Sequence, residues 1–351
     1  MPRLNNGYST GSCAAGAAKA AVRFLLGEQN NSSVEIPLPS GERMSLPLLL
    51  VRRTEQGAEA AIRKDGGDDP DVTSGLTVIV EVQLIDGNDV EFHAGDGIGQ
   101  VTLAGLSLPV GEPAINPGPR KMIAAALREV TNRGCRVTIS IPGGCEIAQK
   151  TFNQRLGIVG GLSVLGTTGI VRAFSLEAMQ ASLLCGLDVA VAGGIVDPIF
   201  VPGNIGEKAA HTHLKPKPLQ VVEVGNEWGM MIDHAKDKGV VALMAMGHPG
   251  KLAKLWLDDW DTHSSRSRSA VEPVRELAMH LTKHEIPIMP TVEGVIMSLA
   301  PEERVTVCAE LCERIRGAIA ERIAAPCTVS VALGNMVGEW LGSAGEIERW
   351  Q

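Results

Sequence analysis

The densest group of side chains able to do chemistry lies in residues 247–268, GHPGKLAKLWLDDWDTHSSRSR. This segment contains His248, Lys251, His263 and Arg266, together with the hydroxyl of Ser264. Arg and Lys make charge-assisted hydrogen bonds to carboxylates, and a neutral imidazole accepts a proton near pH 7. The segment therefore favours a substrate with several carboxylates, and it offers His248 and His263 as candidate general bases. A solvated loop with helix caps is the alternative interpretation.

The same segment gives little support for a metal ion held by the protein. Asp258, Asp259 and Asp261 lie near the two histidines, but they form no recognised ligand spacing with them. The acidic loop at 65–71, DGGDDPD, lacks the spacing of an EF-hand. We expect no protein metal site.

Four Gly-rich segments offer backbone N–H groups to a polar or anionic ligand. They lie at residues 157–169, 203–206, 225–229 and 247–251. None has the spacing GxGxxG or GxxxxGK[ST], which argues against a standard dinucleotide site and against a P-loop. A tight strand-to-helix connection explains any single turn, but successive turns of this kind favour a ligand cleft.

The elements that must position these residues fall into two kinds. Up to about residue 150 the pattern mixes strands with few helices, including an Ala-rich helix at 13–26, and predicts an α+β domain. Beyond residue 157 strands alternate with helices, beginning with a helix at 175–185 and a strand at 187–192. This alternation predicts a Rossmann-like α/β domain of βαβ units with a mainly parallel sheet, which binds ligands at the carboxyl ends of its strands.

These patterns predict a two-domain chain. We place an N-terminal α+β domain at 1–150 and an α/β ligand-binding domain at 151–290. The remaining residues, 291–351, are expected to form a helix, amphipathic over 302–322, and a strand that pack back on the first domain.

Composition narrows the class of protein. Hydrophobic residues make up 44% and charged residues 21% of the 351 residues, as in an ordinary globular protein. The formal net charge of −8 argues against nucleic acid as the main partner. The seven cysteines have no CxxC spacing, and no apolar run approaches the length of a membrane span or a signal peptide. We expect a cytoplasmic protein without membrane contact, and its oligomeric state, homo-oligomers included, stays open.

Several segments together resemble the CbiD family, the cobalt-precorrin-5B C1-methyltransferases of anaerobic cobalamin biosynthesis. Number, order and spacing of the motifs carry the resemblance, which runs over almost the whole chain. The motifs are GYSTGSCAA at 7–15, KDGGDDPDVT at 64–73, GEPAINP at 111–117, the segment 157–172 with its GTTG, PGNIG at 202–206, GHPGKL at 247–252 and THS at 262–264.

The resemblance implies methyl transfer from S-adenosylmethionine to C1 of a cobalt-containing corrinoid, giving cobalt-precorrin-6A. Either Glu223 or Glu227 is expected to accept hydrogen bonds from the ribose of the methyl donor. The residues expected to bind this co-substrate are Gly166, Thr167, Thr168, Gly169, Gly203, Asn204, Gly225, Asn226 and Glu227. The residues expected to bind the corrinoid are Lys251, Ser264, Arg266, Ser9 and Thr10, beside the candidate bases His248 and His263.

Two other functions compete with this one. A non-catalytic corrinoid-binding or handover protein would need the same basic segment, residues 247–268, but the additional Gly-rich turns favour a second ligand. A nucleotide-dependent oxidoreductase of the same pathway is disfavoured because GxGxxG is missing.

Overall fold

The computed structural model describes residues 4–28, 32–324 and 326–351. The chain divides into two compact units, Met1–Glu177 and Ala178–Gln351. Each unit has a five-stranded sheet and its own hydrophobic core. The mixed α/β class predicted from the sequence is confirmed.

The first unit is built on a mostly antiparallel sheet of order β4-β5-β6-β9-β7, in which only β7 pairs in parallel, with β9. Its elements in the described residues are β1 (Gly7–Tyr8), α1 (Thr10–Leu25), β2 (Ser33–Pro37), β3 (Arg43–Pro47), β4 (Leu50–Arg53), β5 (Ala58–Arg63), β6 (Thr77–Ile85), β7 (Val90–Ala94), β8 (Gln100–Val101), α2 (Pro117–Arg128), β9 (Gly134–Ser140), α3 (Gly144–Ala148), β10 (Ile158–Val159) and β11 (Ile170–Val171).

Helix α1 packs against β5 and β6 and is buried from Thr10 to Val22. Small side chains allow this close approach. A Cβ on Gly16 would lie 2.8 Å from Ile62 Cδ1 and 2.9 Å from Leu46 Cδ1, closer than real Cβ contacts. The Ala- and Gly-rich composition of this helix is therefore a packing requirement of the first unit.

The second unit alternates strands and helices. Its elements in the described residues are α4 (Leu176–Ala192), β12 (Ile199–Val201), α5 (Asn204–His213), β13 (Val221–Glu223), α6 (Trp228–Asp237), β14 (Ala242–Gly247), α7 (Pro249–Trp256), α8 (Val271–Thr282), α9 (Val292–Met297), α10 (Pro301–Ile323), β15 (Thr328–Gly334) and β16 (Trp340–Ala344).

The sheet of the second unit has the order β13-β12-β14-β15-β16. The first four strands are parallel to one another, and β16 is antiparallel to β15. The chain runs from β12 to β13 on one side and then crosses to β14 on the other side of β12. The direction of winding therefore reverses between β12 and β14.

One predicted strand is wrong. Residues 187–192 continue α4, and the strand that precedes the turn at 203 is β12. The alternating pattern LDVAVA suggested a strand, but Leu183, Leu187 and Ala190 are buried at helical spacing. Gly186 lies inside the helix, and a Cβ built on it would meet no atom within 4 Å.

The expected packing of residues 291–351 is also wrong. Helix α10 contacts β15, β16, α7 and α8, all in the second unit. Its buried stripe, including Leu311, Ile315 and Ile319, joins the core of that unit. The amphipathic pattern identified the helix, but it carried no information about which sheet the apolar stripe covers.

Candidate functional site at the carboxyl ends of the parallel strands

Three of the predicted turns follow neighbouring parallel strands of the second unit. Gly203 follows β12, Gly225 follows β13 and His248 follows β14. Because the strands are parallel, their carboxyl ends lie at one edge of the sheet. The direction of winding reverses between β12 and β14, and parallel sheets of this kind bind ligands outside the carboxyl ends of their strands at such a reversal. We call this edge, with its loops, the strand-end site.

The turn at Gly203 leaves room for a ligand beside an acidic side chain. Gly203 has φ +147° and precedes α5, and the nearest atom to a Cβ built on it would be Glu223 Oε1, at 3.6 Å. Gly203, the N-cap residue of α5, therefore places no side chain beside the first backbone N–H groups of this helix. A Cβ on Gly206 would lie 3.0 Å from Pro202 Cδ, so this second glycine lets α5 pack closely on the end of β12.

Lys251, in the first turn of α7, brings a cation to the same edge. Burial lowers the pKa of its ammonium group, the neighbouring Lys254 lowers it further, and the charge of Glu223 opposes both. Lys251 and Glu223, the last residue of β13, therefore interact electrostatically at this edge.

The turn after β13 is held by its own polar side chains. Glu227 is 7% exposed and accepts a hydrogen bond of 2.7 Å from Gln180 Nε2. Arg266 Nη2 lies 3.5 Å from the other carboxylate oxygen of Glu227. The backbone carbonyl of Asn226 accepts from the N–H of Thr262, and its side-chain oxygen accepts from the Thr262 hydroxyl. Asn226 and Glu227 therefore fix the basic segment in place.

Most charged side chains of the basic segment form ion pairs or hydrogen bonds with other residues of the protein. Arg266 forms an ion pair with Asp261. Partial burial would raise the pKa of the Asp261 carboxyl, but hydrogen bonds from Arg266 and from the His263 amide bring it below its ordinary value. Lys254 is buried and donates to the carbonyl of Thr262 at 3.0 Å and to Ser267 Oγ at 2.7 Å. Of the predicted substrate-binding residues here, Ser264 is exposed.

His248 joins two elements at the strand ends. Its Nδ1 accepts the N–H of Gly250 at 3.1 Å and so caps α7. Because Nδ1 is an acceptor, the neutral ring carries its proton on Nε2, which lies 2.7 Å from Glu293 Oε2. Glu293 belongs to α9, and its other oxygen accepts the N–H of Met336 at 3.4 Å.

His263 is differently placed. Its Nδ1 lies 2.8 Å from Ser265 Oγ and accepts the backbone N–H of Ser265 at 3.3 Å. The neutral ring therefore presents Nε2–H, a donor, and within the described residues this atom makes no hydrogen bond.

The remaining predicted residues lie together in the first unit. Ser9 caps α1 and donates its backbone N–H to the carbonyl of Gly169 at 3.0 Å. The Thr10 hydroxyl exchanges hydrogen bonds with the backbone of Leu165. A Cβ on Gly166, which has φ +125°, would lie 2.2 Å from Ser9 Oγ. The GTTG segment, Gly166, Thr167, Thr168 and Gly169, thus lies against the amino end of α1.

Comparison with known proteins decides the family. A protein of Syntrophotalea carbinolica named cobalt-precorrin-5B C(1)-methyltransferase is 51% identical over 351 residues, covering 100% of both chains. A family model named CbiD matches residues 1–173. The chain belongs to the CbiD family.

Other CbiD-family relatives extend this result. Proteins of the same name from Burkholderia lata and Methanocaldococcus jannaschii are each 47% identical, over 75% and 74% of this chain and 74% and 72% of their own. A crystal structure of a cobalamin biosynthesis protein (cbiD) from Archaeoglobus fulgidus is 25% identical, with a TM-score of 0.40, over 75% of this chain and 83% of that chain. The family predicted from the motifs is confirmed.

Glu293 could not be identified from the sequence of this CbiD-family chain. The residue lies 45 positions from His248 along the chain, in the sequence TVEGV, which matches no catalytic or metal-binding motif. Only the packing of α9 against α7, the helix that His248 caps, reveals the contact. Thr291, the N-cap of α9, was the available signal for a helix start, but not for a partner of His248.

The described residues of this CbiD-family chain were compared with the requirements of a metal site and of a membrane-spanning helix. Residues 4–28, 32–324 and 326–351 contain no group of three or more His, Cys, Asp or Glu side chains arranged for a metal ion. Among the helices of these residues, none has the length and hydrophobicity needed to cross a bilayer.

Proposed function

We propose that this chain transfers the methyl group of S-adenosylmethionine to C1 of cobalt-precorrin-5B, giving cobalt-precorrin-6A. The observation that carries the proposal is the 51% identity, over the whole of both chains, to a protein named for that methylation. The cobalt belongs to the substrate, so the reaction asks for no metal held by the protein.

We place the methyl donor at the strand-end site, near Gly203, Asn204, Gly225 and Glu223. The gap at Gly203 fits a ligand because no side chain fills it, and Glu223 Oε1 lies at its border. An acidic group near a strand end suits the ribose hydroxyls, and the first N–H groups of α5 suit polar parts of the donor. Glu223 is our candidate ribose acceptor because its Oε1 borders this gap, and the role predicted for Glu227 stays a prediction.

The corrinoid carboxylates are assigned to Lys251, His263 and Arg266. Lys251 is half-buried beside other charges, and His263 presents Nε2–H, so both supply donors to a carboxylate. Arg266 also forms an ion pair with Asp261, so we expect it to orient the basic segment in addition to binding a carboxylate of the corrinoid. The contributions predicted for Ser264, Ser9, Thr10 and the GTTG segment stay predictions.

The donor supplies an electrophilic methyl group on a sulfonium, which the ring carbon attacks in line. The protein's task is alignment, which contributes roughly 7–11 kcal/mol in well-oriented reactions. Loss of a ring proton after methylation needs an acceptor, and His248 is our candidate. Nδ1 accepts the N–H of Gly250, so it takes the ring proton only once that hydrogen bond is broken; Glu293 across Nε2–H fixes the tautomer and stabilises the imidazolium that then forms.

Calorimetric titration with S-adenosylhomocysteine tests the placement of the donor. We expect saturable one-to-one binding by the native protein and a loss of about tenfold or more in Glu223→Gln, because hydrogen bonds to a charged group contribute about 1.5–3 kcal/mol. Glu321→Gln is the matched control, since this exposed carboxylate lies in the last turn of α10, which leads to the amino end of β15.

Equal affinity in Glu223→Gln and the native protein would remove Glu223 from the donor site. If the native protein binds no S-adenosylhomocysteine even with the corrinoid present, the methyltransferase proposal fails and the handover function takes its place.

A further inference from the structure

The turn between β15 and β16, residues 335–339, has a backbone fixed from within. Asn335 is 4% exposed, and its Oδ1 accepts the N–H groups of Val337 at 3.1 Å and Glu339 at 2.8 Å. Its Nδ2 donates to Glu339 Oε2 at 2.7 Å. A buried amide with these bonds holds the turn in one conformation.

Two contacts tie this turn to neighbouring elements. His213 Nε2, at the end of α5, lies 2.7 Å from the carbonyl oxygen of Gly338. The N–H of Met336 donates to Glu293, whose other carboxylate oxygen contacts His248. The turn follows the carboxyl end of β15, which is parallel to β14, so it belongs to the strand-end site.

This fixed turn holds two apolar side chains in solvent. Met336 is 54% exposed and Val337 is 78% exposed. Turns ordinarily carry Gly, Asn, Asp, Ser or Pro at such tips, and an exposed valine contributes nothing to this backbone geometry. Ile205, at the start of α5 and therefore at the same edge, is 45% exposed.

We propose that Met336 and Val337 are specificity-determining residues that pack against the apolar face of the corrinoid ring. The inference rests on the proposed function, which supplies a flat macrocycle with carboxylates at its rim. Lys251, His263 and Arg266 then bind the rim, while the turn covers part of the ring face. Methionine suits such a contact because its side chain is unbranched and polarizable.

The test compares Met336→Ser/Val337→Ser with the matched double variant Val196→Ser/Val241→Ser. The control residues are each 46% exposed and lie just before β12 and β14, at the opposite ends of the strands. With cobalt-precorrin-5B as the probe, we expect the turn variant to raise the KM for the corrinoid about tenfold, since two apolar contacts are lost. The affinity for S-adenosylhomocysteine and the thermal midpoint should stay at the native values in both variants.

A conservative pair, Met336→Leu/Val337→Ile, should keep the native KM because it keeps the apolar surface. The proposal is overturned if the serine variant keeps the corrinoid KM within twofold of the native value, or raises it no more than the control does.

Failure of the proposed function is separable from failure of this inference. If the native protein binds the corrinoid in a spectroscopic titration but makes no methylated product, the same variants are compared by dissociation constant. A selective loss of corrinoid affinity in the turn variant then supports the turn as a binding surface while methyl transfer is refuted. Absence of corrinoid binding by the native protein overturns both.

Discussion

His248 and Glu293 show how a single contact organises the strand-end site. The ring caps α7 through Nδ1 and meets Glu293 through Nε2, while Glu293 also accepts from the turn after β15. Both side chains are mostly buried, with 20% and 24% exposure, so the pair is shielded from solvent more than a surface ion pair.

At this residue scale, a double-mutant cycle of His248→Ala and Glu293→Ala should give a coupling free energy of about 1–2 kcal/mol in urea unfolding. Each single change leaves the other partner without its hydrogen bond, so the second change should cost less than the first. Additive effects would show that the contact contributes no stability.

Measurements of kcat separate the catalytic role predicted for His248 from its structural role as the N-cap of α7. His248→Ala and Glu293→Ala should both lower kcat while leaving the dissociation constant of S-adenosylhomocysteine unchanged. Full kcat in His248→Ala, in a folded variant, would remove this residue from the catalytic machinery.

His263 is expected to act as a hydrogen-bond donor to the corrinoid. Nδ1 accepts from Ser265, so Nε2 holds the proton, and the amide nitrogen of a glutamine reaches a similar position. We expect His263→Ala to raise the KM for the corrinoid about tenfold and His263→Gln to restore most of the native value. If both variants instead lose kcat at unchanged KM, His263 takes the proton itself.

At the scale of elements, the GTTG segment anchors α1 in the first unit. Gly166 has φ +125°, and a Cβ there would meet Ser9 Oγ at 2.2 Å. Gly166→Ala should therefore lower the free energy of unfolding by about 2 kcal/mol more than Gly160→Ala. Gly160 is the matched control because it also has positive φ, +86°, but its Cβ would meet open space. Equal losses in the two variants would contradict the anchoring contact.

A charge cluster joins α1, β3 and the end of α2. Glu129 accepts from Arg43 at 2.7 Å and also pairs with Lys19. The hydrogen bonds from Arg43 outweigh desolvation and, with Lys19, lower the pKa of Glu129 from its ordinary 4.5 to about 2. A lowered carboxyl pKa stabilises the fold above the unfolded pKa, and this contribution is lost as pH falls through the folded value.

The native unfolding free energy should consequently fall between about pH 4.5 and about pH 2, and Glu129→Gln should flatten that fall. An unchanged slope in Glu129→Gln would show that the cluster does not couple protonation to folding.

Elements with a strong local pattern were predictable, and those that depend on distant contacts were not. The Ala-rich α1 and the amphipathic α10 were found because burial at helical spacing is visible in the sequence. The strand predicted over residues 187–192 failed because a short apolar run fits both periods, and the core around α4 decides between them.

At the scale of the whole molecule, the sequence identified the family and the strand-end turns, and the structure shows which side chains lie in contact around those turns. Parallel strands bring Gly203, Gly225 and His248 to one edge, as the alternation of strands and helices predicted. Glu293 and the turn of Met336 could not be predicted, since both reach this edge through the packing of α9 and β15. Glu227 accepts from Gln180 and lies 3.5 Å from Arg266, and its predicted contact with the donor stays a prediction.

The most direct test of methyl transfer by this protein follows the methyl group. The protein is incubated without oxygen with cobalt-precorrin-5B and S-adenosylmethionine labelled with ¹³C in its methyl group, and the corrinoid is analysed by mass spectrometry and NMR. We expect a product with a single labelled methyl group on C1, and S-adenosylhomocysteine in equal amount. Recovery of bound but unlabelled corrinoid would contradict it and identify the protein as a corrinoid carrier.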